Sequence, residues 1–278
     1  MGNFATDTEV WQDGPGRFSV EISKDWELIG PNGGYLAALA LRAAGAHTDK
    51  PQPVSISCQY LGVAEFAEAR IDVTTLRATK RAEAMRVELT QRDRPILHAL
   101  VWAAADDLAG PSTSWVPRPL DIPEPEDLVV LPGETAGGDL FGKKPFWNNI
   151  EIRPALRAHE SLEAGTEPLI RGWDRFRPQA TFPGQPWTDA GRAVVLLDCG
   201  FFPSAAKAFS EMTFIAPSLD LYVGFHTPAP DEEWLLAEST GLASDRGLIS
   251  AKAHLWAPSG HLVAHGTQQM LVRPFSSF

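Results

Sequence analysis

The chain has 278 residues, with 35 acidic and 24 basic side chains for a formal net charge of −11, and it is 44% apolar and 21% charged. That globular composition excludes a disordered chain, a collagen-like fibre and a coiled coil. The acidic balance argues against partners such as nucleic acid or an anionic membrane, and an anionic substrate would need a local positive site.

The N-terminus, MGNFATDTEVWQDG, lacks a basic segment and an apolar segment, so a signal peptide is not expected. Gly2 and Thr6 fit the loose myristoylation pattern, but Asp7, Glu9 and Asp13 precede the first basic residue, Arg17. The segment reads as an ordinary N-terminus. No apolar run reaches the roughly 18 residues of a membrane span. Gly30-Pro31-Asn32-Gly33-Gly34 is a loop leading into a helix over 33–46, GGYLAALALRAAGA, where only Arg42 is charged. A helix apolar almost all round must be wrapped. Strands of about ten residues follow at 54–63, 68–79, 82–92 and 95–104, with period-two alternation in Ile71, Val73, Thr75 and in Met85, Val87, Leu89. Short connections predict antiparallel pairing, and one buried helix under such a meander is an α+β layer.

Residues 106–145 are interrupted by Pro111, Pro117, Pro119, Pro123, Pro125 and Pro132 and read as a linker or surface wrap. It divides the chain into 1–105 and 146–278. The second half predicts strands at 147–154 and 167–177, then a helix at about 190–207 capped by Thr188 or Asp189 and ended or kinked by Pro203. Strands follow at 218–227, 234–243, 247–257 and 261–273. The halves align at a shift of 165 through the strands (Arg81 onto Arg246, Thr75 onto Thr240) and 157 through the helices (Gly34 onto Gly191). The order helix and four strands recurs, which indicates a duplication.

Several motifs fail. GGDLFGKK at 137–144 approaches a phosphate loop, but Lys144 stands where Ser or Thr would bind magnesium and no strand precedes it. Neither GxSxG nor HExxH occurs. Cys58 and Cys199 form no CxxC, so neither a disulfide framework nor a thiolate metal site is expected, which suits a cytoplasmic protein. Seven histidines, His226, His254, His261 and His265 among them, lack metal-ligand spacing, so no metal and no cofactor is expected. In SLDLYVGFH, Leu219, Leu221, Val223 and Phe225 share one face, and Asp220, Tyr222, Gly224 and His226 share the other.

Taken together, GGYLAALALRAAG, SLDLYVGFH, EWLLAESTGLASDRG and HLVAHGTQQMLVR resemble the acyl-CoA thioesterase II family, and so do the stretches NNIEIRP and LIRGW. The resemblance implies a double hotdog: two hotdog folds in one chain, each a long helix wrapped by an antiparallel sheet. It implies hydrolysis of an acyl-CoA substrate in fatty acid metabolism, with homo-oligomers common in the family. The family's catalytic Asp, Thr and Gln match Asp220, Thr240 and Gln268, and its helix-start glycine pair matches Gly33 and Gly34. Tyr35 follows the pair where many relatives carry Gln, which would alter the pocket.

Such a reaction needs one activated water and one oxyanion site, because a thiol with a pKa near 8.5 leaves without a strong acid. Asp220 would take the proton, Gln268 and Thr240 would hold the water, and N–H groups at the Gly33-Gly34 helix start would bind the oxyanion. The shift of 165 places Ser55, Thr75 and Ala103 opposite the trio, so only the second half has a base. The alternatives are a non-catalytic acyl-binding protein of the same fold and, behind it, a hotdog dehydratase or hydratase.

Overall fold

Apolar residues 33–47 form the expected helix, here α2 (Gly33–His47), in the computed structural model, which describes residues 1–131, 143–157 and 159–275. Most of GGDLFGKK lies outside the described residues. The Asn32 side chain accepts the Tyr35 N–H and caps the helix. A shorter helix, α1 (Phe4–Asp7), precedes it and buries Phe4 in the core. A hairpin that the sequence reading leaves out, β1 (Trp11–Gly14) and β2 (Arg17–Glu21), comes next in the chain and flanks the first-half sheet. The strands after α2 are β3 (Gln52–Tyr60), β4 (Glu68–Ala78), β5 (Ala82–Gln91) and β6 (Arg94–Ala104), within a residue or three of the predicted ranges.

The second half starts with β7 (Ile150–Pro154) and β8 (Leu169–Phe176), then α3 (Pro186–Ala206). This helix begins earlier than predicted. Pro186 occupies the first turn, where its missing N–H costs nothing, so Thr188 and Asp189 lie inside the helix and cap nothing. Asp189 instead binds the buried Arg192 guanidinium and the Ala229 N–H, and Pro203 sits within the last turn. A short β9 (Phe214–Ile215) is followed by β10 (Asp220–Phe225), β11 (Leu235–Asp245), β12 (Leu248–Trp256), β13 (Leu262–Leu271) and β14 (Arg273–Pro274).

Among the described residues, twelve strands form one antiparallel sheet in the order β1-β2-β4-β5-β6-β3-β10-β13-β12-β11-β8-β7. Each half repeats the other outward from the central β3–β10 pair, and each wraps its own helix, which makes the fold a double hotdog. The bulge after Thr75–Met85 recurs after Gly241–Ala251, so β4 and β5 map onto β11 and β12 at 241 − 75 = 166. Val101 pairs with Met85 as Gln268 pairs with Ala251, so β6 maps onto β13 at 268 − 101 = 167. Bulges and unequal loops account for the small departure from 165. The two helices pack antiparallel, with Gly34 against Asp198 and Gly45 against Trp187, and the main core lies between them and the sheet. Residues 106–131 cross the outer face of the second half, where Trp173 donates to the Pro123 carbonyl and Trp256 to that of Val116. Among the described residues no helix is long and apolar enough to cross a membrane.

Candidate active site

A cavity of about 1440 Å³ opens between the start of α2, the middle of α3 and the second-half sheet. Its wall is mostly apolar, with Leu28, Ile29, Leu61 and Phe202 among the lining residues. The pseudo-symmetry explains why space lies on this side. Phe18 and Ile71, both core residues of the first half, pair with each other as Gly172 pairs with Ala237 in the second. At the shift of 166, Val73 corresponds to Ser239, since 239 − 73 = 166. Large apolar side chains fill the first half, and small ones leave the second half hollow.

One carboxylate faces this cavity from α3. Asp198 Oδ1 accepts the Gln268 amide at 2.7 Å, and Oδ2 accepts the Asn32 amide at 2.9 Å and the Gly34 N–H at 2.8 Å. Burial raises its pKa above the ordinary carboxylate value, and the Gly34, Gln268 and Asn32 donors pull it only part of the way back. An ionised carboxylate has about four lone-pair directions, so three donors leave one for a further partner. Gly33 lines the cavity, and among the described residues its N–H has no acceptor. The Tyr60 hydroxyl is buried without a hydrogen-bond partner, and a Cβ at Gly33 would lie 3.2 Å from it. Burial, reinforced by Asp198, pushes the Tyr60 pKa well up, so it stays a hydroxyl donor. Cys199 also lines the cavity, but burial, with Asp174 and Asp198 nearby, keeps its thiol protonated.

The structure brings Gln268, Gly33 and Gly34 together around this carboxylate. Asp220, Thr240 and Tyr35 lie elsewhere. Asp220 begins β10 on the face shared with the half-exposed Tyr222, and its Oδ1 accepts the Gln269 N–H at 2.9 Å. Strand alternation turns Ser239 into the cavity and Thr240 to the opposite face, beside Glu238. Tyr35 is fully buried, stacks on Trp26 with centroids 5.3 Å apart, and donates to the Asp7 carbonyl, so it shapes the core rather than the cavity. The residue that the sequence reading missed, Asp198, is the single acid in AVVLLDCGFF, and a lone charge in that apolar stretch was its available signal.

The positive groups lining the cavity are Arg171, Lys207 and Arg273. Arg171 is neutralised by Glu160 and Glu238, whereas Lys207 donates to the Leu169 carbonyl and Arg273 has no acidic partner among the described residues.

Two wrapped helices and one continuous sheet define a double-hotdog protein, with a buried carboxylate held by neutral donors where the helices meet. Residues 22–104 match the acyl-CoA thioesterase N-terminal domain and residues 125–272 the acyl-CoA thioesterase C-terminal domain. The chain belongs to this acyl-CoA thioesterase family. It is similar to an uncharacterised protein of Mycobacterium tuberculosis, 28% identical over 240 residues and 78% of each chain. Among solved structures, a hot dog fold protein of unknown function from Alicyclobacillus acidocaldarius superposes with a TM-score of 0.82 at 19% identity over 97% of each chain. An acyl-CoA thioesterase II from Mycobacterium marinum superposes with a TM-score of 0.80 at 18% identity, covering 99% of this chain and 100% of that one.

Proposed function

We propose that this chain hydrolyses acyl-CoA thioesters to a free carboxylic acid and CoA, with Asp198 in the role that the sequence reading gave to Asp220. The observation that carries this reading is the Asp198 carboxylate, bound by Gln268, Asn32 and Gly34 at the wall of a large apolar cavity. Its remaining lone pair takes a water, and its raised pKa makes it a better base than an exposed aspartate. The water attacks the thioester carbonyl while Asp198 takes its proton. The oxyanion is met by the Gly33 N–H at the positive end of α2 and by the Tyr60 hydroxyl. Collapse expels the CoA thiol, whose low pKa needs little help from an acid.

The acyl chain occupies the apolar part of the cavity. Lys207 and Arg273 supply positive charge for the CoA phosphates on a protein that is otherwise acidic. The site then spans both halves, 1–105 giving Asn32, Gly33 and Gly34 and 146–278 giving Asp198 and Gln268. Unpaired Cys58 and Cys199 fit a place in cytoplasmic fatty acid metabolism.

Release of free thiol from a panel of acyl-CoAs, followed with a thiol reagent, tests the reading. Asp198→Asn is expected to lower kcat by about 10²–10⁴-fold, the usual loss for a positioned base. Asp220→Asn is expected to stay within about threefold of wild type. Retention of a third of the rate by Asp198→Asn would remove it as the base.

A further inference from the structure

A second carboxyl in the same cavity has no role in the chemistry above. Asp174 on β8 lines the cavity and is 5% exposed, yet no hydrogen bond or ion pair reaches either oxygen among the described residues. Its Oδ1 lies over Gly172, 3.5 Å from where a Cβ would stand. The duplication sets the expectation for this position. Val20 pairs with Ala69 as Asp174 pairs with Leu235, and 235 − 69 = 166, so Asp174 stands where the first half places Val20. Val20 is a core residue at 1% exposure. An apolar side chain therefore suits the backbone here, and a bare buried carboxyl costs stability that no partner in the chain offsets. Trp147, whose indole N–H is also buried without a partner, lines the same cavity.

We infer that Asp174 is a specificity residue for the acyl chain, hydrogen-bonding a hydroxyl or oxo group carried far from the thioester. This rests on the proposed hydrolysis at Asp198. Burial pushes the Asp174 pKa well up and so favours the carboxylic acid, one donor and one acceptor, which suits a neutral oxygen function rather than a cation. The position of the group follows from the sheet. Asp174 is on β8 and Gln268 on β13, three strand spacings apart, or about 14 Å measured across the sheet. A substituent at the second or third carbon of the acyl chain cannot reach β8, and a distal one can.

The experiment compares kcat/KM for unsubstituted, β-hydroxy and ω-hydroxy acyl-CoAs from octanoyl to hexadecanoyl, with wild type, Asp174→Asn and Asp174→Leu. For wild type, at least one ω-hydroxy substrate is expected to exceed its unsubstituted counterpart by about tenfold or more, because the plain chain leaves a buried polar group unpaired. The β-hydroxy series is expected to show no such gain. Asp174→Leu should abolish the preference, and Asp174→Asn should retain part of it. Plain and ω-hydroxy substrates hydrolysed alike by wild type, or a ratio unchanged in Asp174→Leu, would overturn the inference and leave hydrolysis standing. If wild type cleaves no acyl-CoA, the proposed hydrolysis falls. Calorimetry with dodecanoate and ω-hydroxydodecanoate then decides the inference alone: tighter binding of the hydroxy acid, lost in Asp174→Leu, supports it, and equal binding overturns it.

Discussion

The donors around Asp198 carry no charge. Its three partners are an amide from Gln268, an amide from Asn32 and the Gly34 N–H, all neutral, so burial prevails and the pKa rises. A base must be ionised to act, so kcat/KM is expected to fall on acidification along a limb set above the ordinary Asp value of about 3.9. Each donor stabilises the charged form. Gln268→Leu removes one, so its acid limb should move to higher pH and its plateau should drop. A pH profile of thiol release checks both. An unchanged limb would mean that Gln268 does not act through Asp198.

At the scale of elements, the site depends on how closely α2 and α3 approach. A Cβ at Gly34 would lie 2.7 Å from Asp198 Cβ and 3.0 Å from Val195 Cα, so a side chain there must push the helices apart. Alanine in place of glycine would by itself favour a helix by up to about 1 kcal/mol. Gly34→Ala is nonetheless expected to destabilise the protein, by about 1–3 kcal/mol as overpacking typically does. It should also lower kcat, because the Gly34 N–H would leave Asp198. Gly14→Ala, where no atom lies within 4 Å of the new carbon, is the control. Thermal melting and thiol release read the two effects, and a Gly34→Ala variant as stable and active as wild type would show that the helices have slack.

At the scale of the molecule, the outer strand pair of the second half is held by charge. Glu151 on β7 is buried, and burial alone would raise its pKa, but Arg177, Arg153 and Arg175 all donate to it and hold it at about 2. Arg153 and Arg175 also lie over the Trp234 ring, at 4.9 and 4.6 Å. A depressed pKa contributes stability above the unfolded value of about 4.5, and that contribution is lost as pH falls toward about 2. Glu151→Gln is expected to lose about 2 kcal/mol at pH 7, less than the roughly 3–5 of a fully enclosed pair because Arg175 and Arg177 reach solvent. Its remaining stability should decline less than that of wild type between pH 4.5 and 2. Equal melting of the two proteins at pH 7 would show that the cluster is dispensable.

Periodicity in the sequence located both helices and every long strand of the meanders, because burial on one face of a strand and all round a helix is a local demand written residue by residue. The repeat was legible for the same reason. The hairpin β1–β2 was not, since its strands are four and five residues long and only Phe18 and Val20 mark a buried face. For the site, the resemblance pointed to Asp220, Thr240, Gln268, Gly33, Gly34 and Tyr35, and the fold gathers Gln268, Gly33 and Gly34 beside Asp198. Asp220 shares its strand face with Tyr222 and His226 and so turns from the helix. Which carboxylate meets Gln268 was decided only in three dimensions. Asp198 is 164 residues from Gly34 and 70 from Gln268, and the antiparallel crossing of two helices, not any spacing in the chain, sets them 2.8 and 2.7 Å from one oxygen or the other. The hollow in the second half was decided there too, because Gly172, Asp174, Ala237 and Ser239 become a cavity wall only when laid over Phe18, Val20, Ile71 and Val73 of the first.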